Sequence, residues 1–268
     1  MAIRLELIGS VFINYLMIQV NNVFKEYPGG VKALEGVSFN IQKGDICGYI
    51  GANGAGKSTT VKILTGMLEF DKGEVVIGGI NVKDDPVGLK KIIGYVPESG
   101  NMFNSLTPRE FLSFITEVRN IGSDIAKHRI EGFASIFDLT AMLDSSLSTL
   151  SKGNKQKVLI TSALLHDPEV IFLDEPLNGL DANTIFTFRD MIEDFSRRGK
   201  TIFYCSHLLD VIEKISSRIL LIDKGRIVLD KNTLELKGSK DYTNLETLFK
   251  SLEPEENRKK FSYEEIFG

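Results

Sequence analysis

The sequence predicts an α/β fold: a parallel sheet at the core, antiparallel strands beside it, and a helical subdomain inserted between core strands. Three observations predict it. An apolar run, Ile46–Ile50, leads directly into a glycine-rich segment and then into helically spaced Val61, Ile63, Leu64 and Leu68, the opening of a βαβ unit. Two more apolar runs, 170–173 and 201–205, bracket an amphipathic stretch at 185–195. Runs without polar alternation suit strands covered on both faces. From about 98 to 166, apolar residues recur instead at three- and four-residue steps, which is the helical period.

Residues 1–16 hold one arginine, one glutamate and a short apolar run. They are expected to be an N-terminal extension, and without a small-residue cleavage site they do not read as a secretion signal. The longest apolar stretch, 11–20, is broken by Asn14 and Gln19 and is short of the about 20 residues a membrane span needs. Ile18, Val20 and Val23, then Val37, Phe39 and Ile41, follow the period of two that marks half-buried strands. Gln42-Lys43-Gly44-Asp45 reads as a turn into the core strand. Residues 74–77 with Gly78-Gly79 read as a strand and hairpin turn. Thr107-Pro108-Arg109-Glu110 is a helix start, with a threonine cap, proline in the first turn and then an acid. Phe111, Phe114, Ile115 and Val118 continue that helix, and Ile130, Phe133, Ile136 and Phe137 mark another. Residues 219–229 read as a hairpin turning at Asp223-Lys224-Gly225. The stretch 231–268 carries 15 charged side chains, 7 basic and 8 acidic. A helix near Leu245–Leu252 followed by a charged tail is expected there. The expected organisation is an extension at 1–16, one domain at 17–232 with its helical subdomain at about 98–166, and a C-terminal helix and tail at 233–268.

Composition narrows the class. The chain has 268 residues, 43% hydrophobic and 25% charged, which excludes a disordered, collagen-like or disulfide-scaffold protein. Net charge is −4, so no nucleic-acid partner is expected from bulk electrostatics. Cys47 and Cys205 lie in apolar runs with no Cys or His at a ligand spacing. They read as buried reduced thiols, and no zinc site is expected.

Gly51-Ala52-Asn53-Gly54-Ala55-Gly56-Lys57-Ser58 fits the phosphate-loop pattern G-x-x-x-x-G-K-[ST] at every fixed position. Glycines let successive backbone N–H groups turn inward toward phosphate oxygens, and the positive end of the following helix dipole faces the same anion. Lys57 reaches the β- and γ-phosphates, and the Ser58 hydroxyl can coordinate Mg²⁺. Thr59 is grouped with them. The predicted ligand is a nucleoside triphosphate with Mg²⁺. The run 170–173 ends in Asp174 and Glu175. The first acid suits Mg²⁺, and the second is placed to polarise an attacking water as a general base.

With these motifs in order, residues 17–232 closely resemble the ATP-binding subunit of ABC transporters. Leu150-Ser151-Lys152-Gly153-Asn154 resembles the family's signature motif, Asn178-Gly179-Leu180-Asp181 its D-loop, and His207 its switch histidine. Tyr27 stands where the family stacks an aromatic ring on adenine. The resemblance implies a RecA-like P-loop ATPase core with an antiparallel β subdomain and an inserted helical subdomain, binding ATP and Mg²⁺. It implies that Ser151, Gly153 and Asp181 meet nucleotide held by a second subunit, that His207 senses the γ-phosphate, and that Glu98 links the site to the helical subdomain.

Two departures stand out. Glu98 replaces the family's glutamine, adding a negative charge and making nucleotide binding more dependent on the cation; it is also a candidate metal ligand. Lys152 and Asn154 replace glycine and glutamine in the signature, a form similar to the bacterial exporter-like branch. The resemblance further implies a transmembrane permease subunit and a second ATP-binding subunit as partners, the latter identical or not. The expected place is cytoplasmic, on the inner face of the cell membrane, with export the expected direction. A groove between core and helical subdomain would receive a short permease helix. His128 and His166 read as surface or packing residues, and Lys152, Lys155 and Lys157 as a solvated helix face. The competing readings are a nontransport ATPase of the same fold acting on DNA or ribosomes, disfavoured by a single phosphate loop without sustained heptads, and a nonhydrolysing ATP-binding module, disfavoured by Glu175 and His207.

Overall fold

A computed structural model describes residues 16–100, 102–239 and 242–252. Of the extension expected at 1–16, residues 1–15 lie outside the described residues and Leu16 opens β1; the tail from 253 also lies outside them. Among the described residues ten strands run β1 Leu16–Tyr27, β2 Val31–Gln42, β3 Ile46–Ile50, β4 Lys72–Ile77, β5 Ile80–Asn81, β6 Ile93–Val96, β7 Val170–Asp174, β8 Thr201–Cys205, β9 Arg218–Asp223 and β10 Arg226–Asn232. Among the described residues nine α-helices run α1 Lys57–Leu64, α2 Pro86–Ile92, α3 Pro108–Val118, α4 Ser123–Ile136, α5 Lys152–Leu164, α6 Ala182–Arg197, α7 Leu209–Ile215, α8 Thr233–Gly238 and α9 Leu245–Leu252.

The strands form two sheets, a four-stranded one in the order β2-β1-β4-β5 and a six-stranded one in the order β10-β9-β3-β8-β7-β6. The first is antiparallel throughout. In the second only the β9–β10 hairpin is antiparallel. Every residue of β3, β7 and β8 is buried, which is why these runs show no polar alternation. Their side chains still alternate between the two faces of the sheet. Cys47, Tyr49, Phe172 and Phe203 join α1 and the antiparallel sheet in one core. Ile46, Ile50, Ile171, Leu173 and Ile202 join α5, α6 and α7 in the other. Phe39, Tyr49, Phe172 and Phe203 stack on one another with ring centroids 4.9–6.2 Å apart.

Local signals set the helix ends. At α3 the Glu110 backbone N–H donates to the Thr107 hydroxyl at 3.2 Å, and the Thr107 N–H donates to the Glu110 carboxylate at 2.8 Å. This reciprocal cap satisfies two donors the helix leaves open. Ser151 caps α5, accepting from Asn154 N at 3.2 Å, so that helix starts at Lys152. Asp181 caps α6 in the same manner, which extends the helix expected at 185–195 to Ala182–Arg197. Helices α2 and α7, and strand β6, are not anticipated by the sequence patterns; each is only four to seven residues long.

Candidate active site

The site forms at the carboxyl ends of adjacent strands. β3 delivers the phosphate loop, β8 delivers Ser206 and His207, β7 delivers Asp174 and Glu175, and β6 leads to Glu98. The register pairs Asp174 with Cys205 and Leu173 with Val96. Neighbouring strands lie about 4.8 Å apart, so four separate segments of chain converge at one sheet edge.

Residues 51–56 leave β3 and turn into α1. Gly56 has φ +114, and a Cβ there would lie 2.7 Å from the Ala33 carbonyl oxygen, so a side chain is excluded both by backbone conformation and by space. Gly225 N, in the β9–β10 turn, donates to Ala55 O at 2.9 Å, and Glu35 N donates to Gly225 O at 2.8 Å; the hairpin props the loop from below. Lys57 Nζ donates to Gly51 O at 2.7 Å and to Ala52 O at 3.1 Å, which holds the ammonium over the loop. Tyr27 ends β1 half-buried, and its hydroxyl lies 3.2 Å from Thr59 Oγ1. The ring thus stands beside the first turn of α1.

Asp174 is buried. Burial pushes its carboxyl above the usual range; the Cys205 thiol, which hydrogen-bonds it, opposes this, Glu98 and Glu175 push it further up, and Lys57 draws it down. Three carboxylates and one ammonium therefore share a field. Glu175 has a left-handed backbone, φ +48, fixed by its N–H donating to Cys205 O at 2.8 Å. A glutamate rarely adopts this conformation, and such strain concentrates where geometry serves function. Its carboxylate accepts from Ser206 Oγ on Oε2 at 2.8 Å, and its Oε1 lies 2.8 Å from His207 Nδ1.

Gly153 packs against the segment that runs from Glu175 to Asp181, and Ser151 caps the helix that carries Gly153. A Cβ at Gly153 would lie 2.4 Å from Gly179 O. The close approach expected of this glycine is thus made to the chain's own loop. Gln156 Nε2 donates to Pro176 O at 3.1 Å. Asp181 accepts from Thr184 N at 2.9 Å and Thr184 Oγ1 at 2.6 Å, and lies 3.4 Å from Lys157 Nζ. The Thr184 bonds, with Lys157, hold its carboxyl well below the usual range.

This corrects the expectation of a solvated lysine face. Lys152 is exposed and Lys155 half-buried, but the Lys157 side chain is only 9% exposed. Its position on α5 turns it under the loop, where a carboxylate partner offsets the burial of charge. Asn154, at the variant signature position, donates to Met142 Sδ at 3.0 Å. His166 is partly buried, with Nε2 donating to Ile93 O at 2.8 Å, which fits its reading as a packing residue. Ser206 and Cys205 are site residues that no sequence motif marks. The signal available is position: both lie where β8 ends beside the acid pair.

A groove of ≈ 890 Å³ opens between the parallel sheet and the helices, lined by Met67, Val87, Ile115, Val118 and Ile121 with Lys90, Lys91 and Arg119. Met67, Val87 and Val118 are 62–66% exposed. An apolar patch of this kind with a polar rim marks an interaction surface.

A phosphate loop on one strand and an acid pair on the next but one define a nucleotide-binding protein of the P-loop, RecA-like class. The family model described as ABC transporter matches residues 34–178. The ABC transporter ATP-binding protein NatA of Bacillus subtilis (strain 168) is 30% identical over 230 residues, covering 85% of this chain and 93% of that one. The linearmycin resistance ATP-binding protein LnrL of the same organism is 32% identical over 212 residues, covering 79% and 68%. Among solved structures, an ATP-binding subunit of an ABC transporter superposes with TM-score 0.81 at 27% identity, covering 88% of this chain and 98% of that one. A dimeric ATP-binding cassette in a post-hydrolysis state, bound to ADP and Pi, superposes with TM-score 0.72 at 27% identity, covering 81% and 99%. The chain belongs to the ABC transporter ATP-binding family, a family of nucleotide-binding ATPases that serve transport. Among the described residues no helix is long and apolar enough to cross a membrane.

Proposed function

We propose that the chain hydrolyses ATP in a Mg²⁺-dependent reaction and energises export through separate membrane subunits. The observation that carries this reading is the Glu175 carboxylate, hydrogen-bonded by Ser206 and 2.8 Å from His207, beside the phosphate loop. Loop amides from Gly51 to Gly56, with Lys57, bind the phosphates; Tyr27 stacks on the adenine, and Thr59 supports it. Ser58 and Asp174 offer hard oxygen donors, the type Mg²⁺ prefers while it keeps several waters. They fit that ion, and Glu98 adds a third oxygen source, directly or through water. When bound, Mg²⁺ offsets charge on the β- and γ-phosphate oxygens. Water bonds to Pγ as the Pβ–O–Pγ bridge breaks, and its proton passes to Glu175. The hydrogen bond from Ser206 leaves lone pairs on the carboxylate for this task. His207, 64% exposed at its side chain, can also reach a γ-phosphate.

Ser151, Gly153 and Asp181 serve nucleotide bound to a second ATP-binding subunit. The apolar, cation-rimmed groove takes a permease helix, which places the chain on the inner face of the membrane. In this reading residues 17–232 are the ATP-binding domain, 98–166 its helical subdomain, and 233–268 an appendage.

A Glu175→Gln variant tests the chemistry. Nucleotide binding should persist while turnover falls about 10²–10⁴-fold, the range of a lost general base; unchanged hydrolysis would overturn the assignment. Purification from detergent-solubilised membranes tests the assembly. A stoichiometric multi-span protein supports it, whereas ribosomal or DNA-bound partners without one refute it.

A further inference from the structure

We propose that Ser206 is a positioning residue for ATP hydrolysis, holding the Glu175 carboxylate in its working orientation; this rests on Glu175 being the general base. A serine hydroxyl has one proton and two lone pairs. Leu208 N donates to Ser206 Oγ at 3.1 Å, which uses the oxygen as acceptor. The hydroxyl proton is then directed to Glu175 Oε2, 2.8 Å away. Ser206 is 1% exposed, so bulk water does not compete for that proton. The relay is fixed at both ends: a backbone N–H orients the hydroxyl, and the hydroxyl orients the carboxylate.

The second contact of the Glu175 carboxylate is of another kind. His207 Nδ1 lies 2.8 Å from Oε1, on a side chain that is 64% exposed. An exposed imidazole can leave for phosphate, but a buried hydroxyl tied to backbone stays in place. The Glu175 backbone is already pinned by its bond to Cys205 O. What remains is rotation of the carboxylate about its own side-chain bonds, and Ser206 removes it. Misplacing a reacting group by about 1 Å can cost on the order of 10²-fold in rate, so loss of this anchor belongs in kcat and not in ATP binding.

The test compares Ser206→Ala, Ser206→Cys, Ser206→Thr and Glu175→Gln in the full chain. Steady-state ATP hydrolysis, binding of a fluorescent ATP analogue with Mg²⁺, and thermal melting are measured on each. Alanine lacks the donor, and cysteine keeps the size but donates weakly. Both should lower kcat about 10–100-fold while KM and analogue affinity stay within about twofold. Threonine keeps the hydroxyl and should restore kcat to within about threefold. If Ser206→Ala or Ser206→Cys turns over like the parent while Glu175→Gln is inactive, the role of Ser206 is refuted and the base assignment stands. A kcat loss matched by lost binding or melting temperature refutes it also, since that is a packing effect. If Glu175→Gln retains turnover, the base assignment itself falls.

Discussion

Alanine at Gly132 and at Gly153 should have opposite effects, although both glycines lie in helices. Gly132 sits on the exposed side of α4, and a Cβ there meets nothing within 4 Å. The helix then gains the ordinary advantage of alanine over glycine, about 0.5–1 kcal/mol. At Gly153 the same atom would lie 2.4 Å from Gly179 O, about 1 Å inside ordinary contact distance. That neighbour is backbone and cannot rotate away. Overpacking of this kind costs about 1–3 kcal/mol, and in the first turn of α5 the propensity gain is smaller. A net loss of about 1–2 kcal/mol follows. For a domain of this size 1 kcal/mol moves Tm by about 2–4 °C. Gly132→Ala should raise Tm by about 1–4 °C, and Gly153→Ala should lower it by about 2–8 °C. Thermal melts followed by circular dichroism at one pH and salt concentration make the comparison. A Gly153→Ala variant as stabilised as Gly132→Ala would show that α5 and the 176–181 loop do not touch as described, and the steric requirement for glycine at 153 would fall with that contact.

Two further outcomes are expected. His166 is held neutral by burial and by Arg119, its pKa pushed down to about 4 from 6.5, with its bond to Ile93 and nearby Asp167 opposing the shift. The unfolded chain therefore binds the extra proton first, and stability should fall as pH drops from about 6.5 toward 4. His166→Gln, which can still donate to Ile93 O, should flatten that slope in urea titrations across the same window; an unchanged slope refutes the assignment. Glu98→Gln removes one of the two carboxylates whose charge acts on Asp174. ATP binding in EDTA should tighten several-fold and the Mg²⁺ concentration for half-maximal turnover should rise, both read by titration; equal metal dependence in the two proteins would show that Glu98 does not act on the cation.

The phosphate loop and the Asp174-Glu175 pair are legible in the sequence because their information is local. Glycine spacing, a strand before and a helix after are enough to define a turn that wraps an anion. The Thr107 cap and the Asp223-Lys224-Gly225 hairpin are legible on the same terms, since both partners of each contact lie within a few residues. Lys157 misleads because a run of lysines on a helix looks solvated until the loop that covers it is known, and that loop lies some 20 residues away in sequence. Ser206 is invisible because serine at a strand end is ordinary. Only the parallel register, which brings Cys205 beside Asp174, gives it a carboxylate to hold. Strand β6 is four residues long and has a glycine within it, too short for a period of two to show. Its place at the sheet edge is set by pairing with β7.

The contacts of α5 with the loop after Glu175 have a consequence for how variants of this chain must be compared. Gly153 against Gly179, Gln156 on Pro176 and Lys157 beside Asp181 fasten one helix to one loop at three heights. Substitutions on the two sides share partners, so their effects will not add. A change tolerated at 179 or 181 in one background can be lethal in another that differs at 153 or 157. The two segments constitute one unit of substitution, and transplanting either motif from a relative without the other exchanges half of a fitted joint.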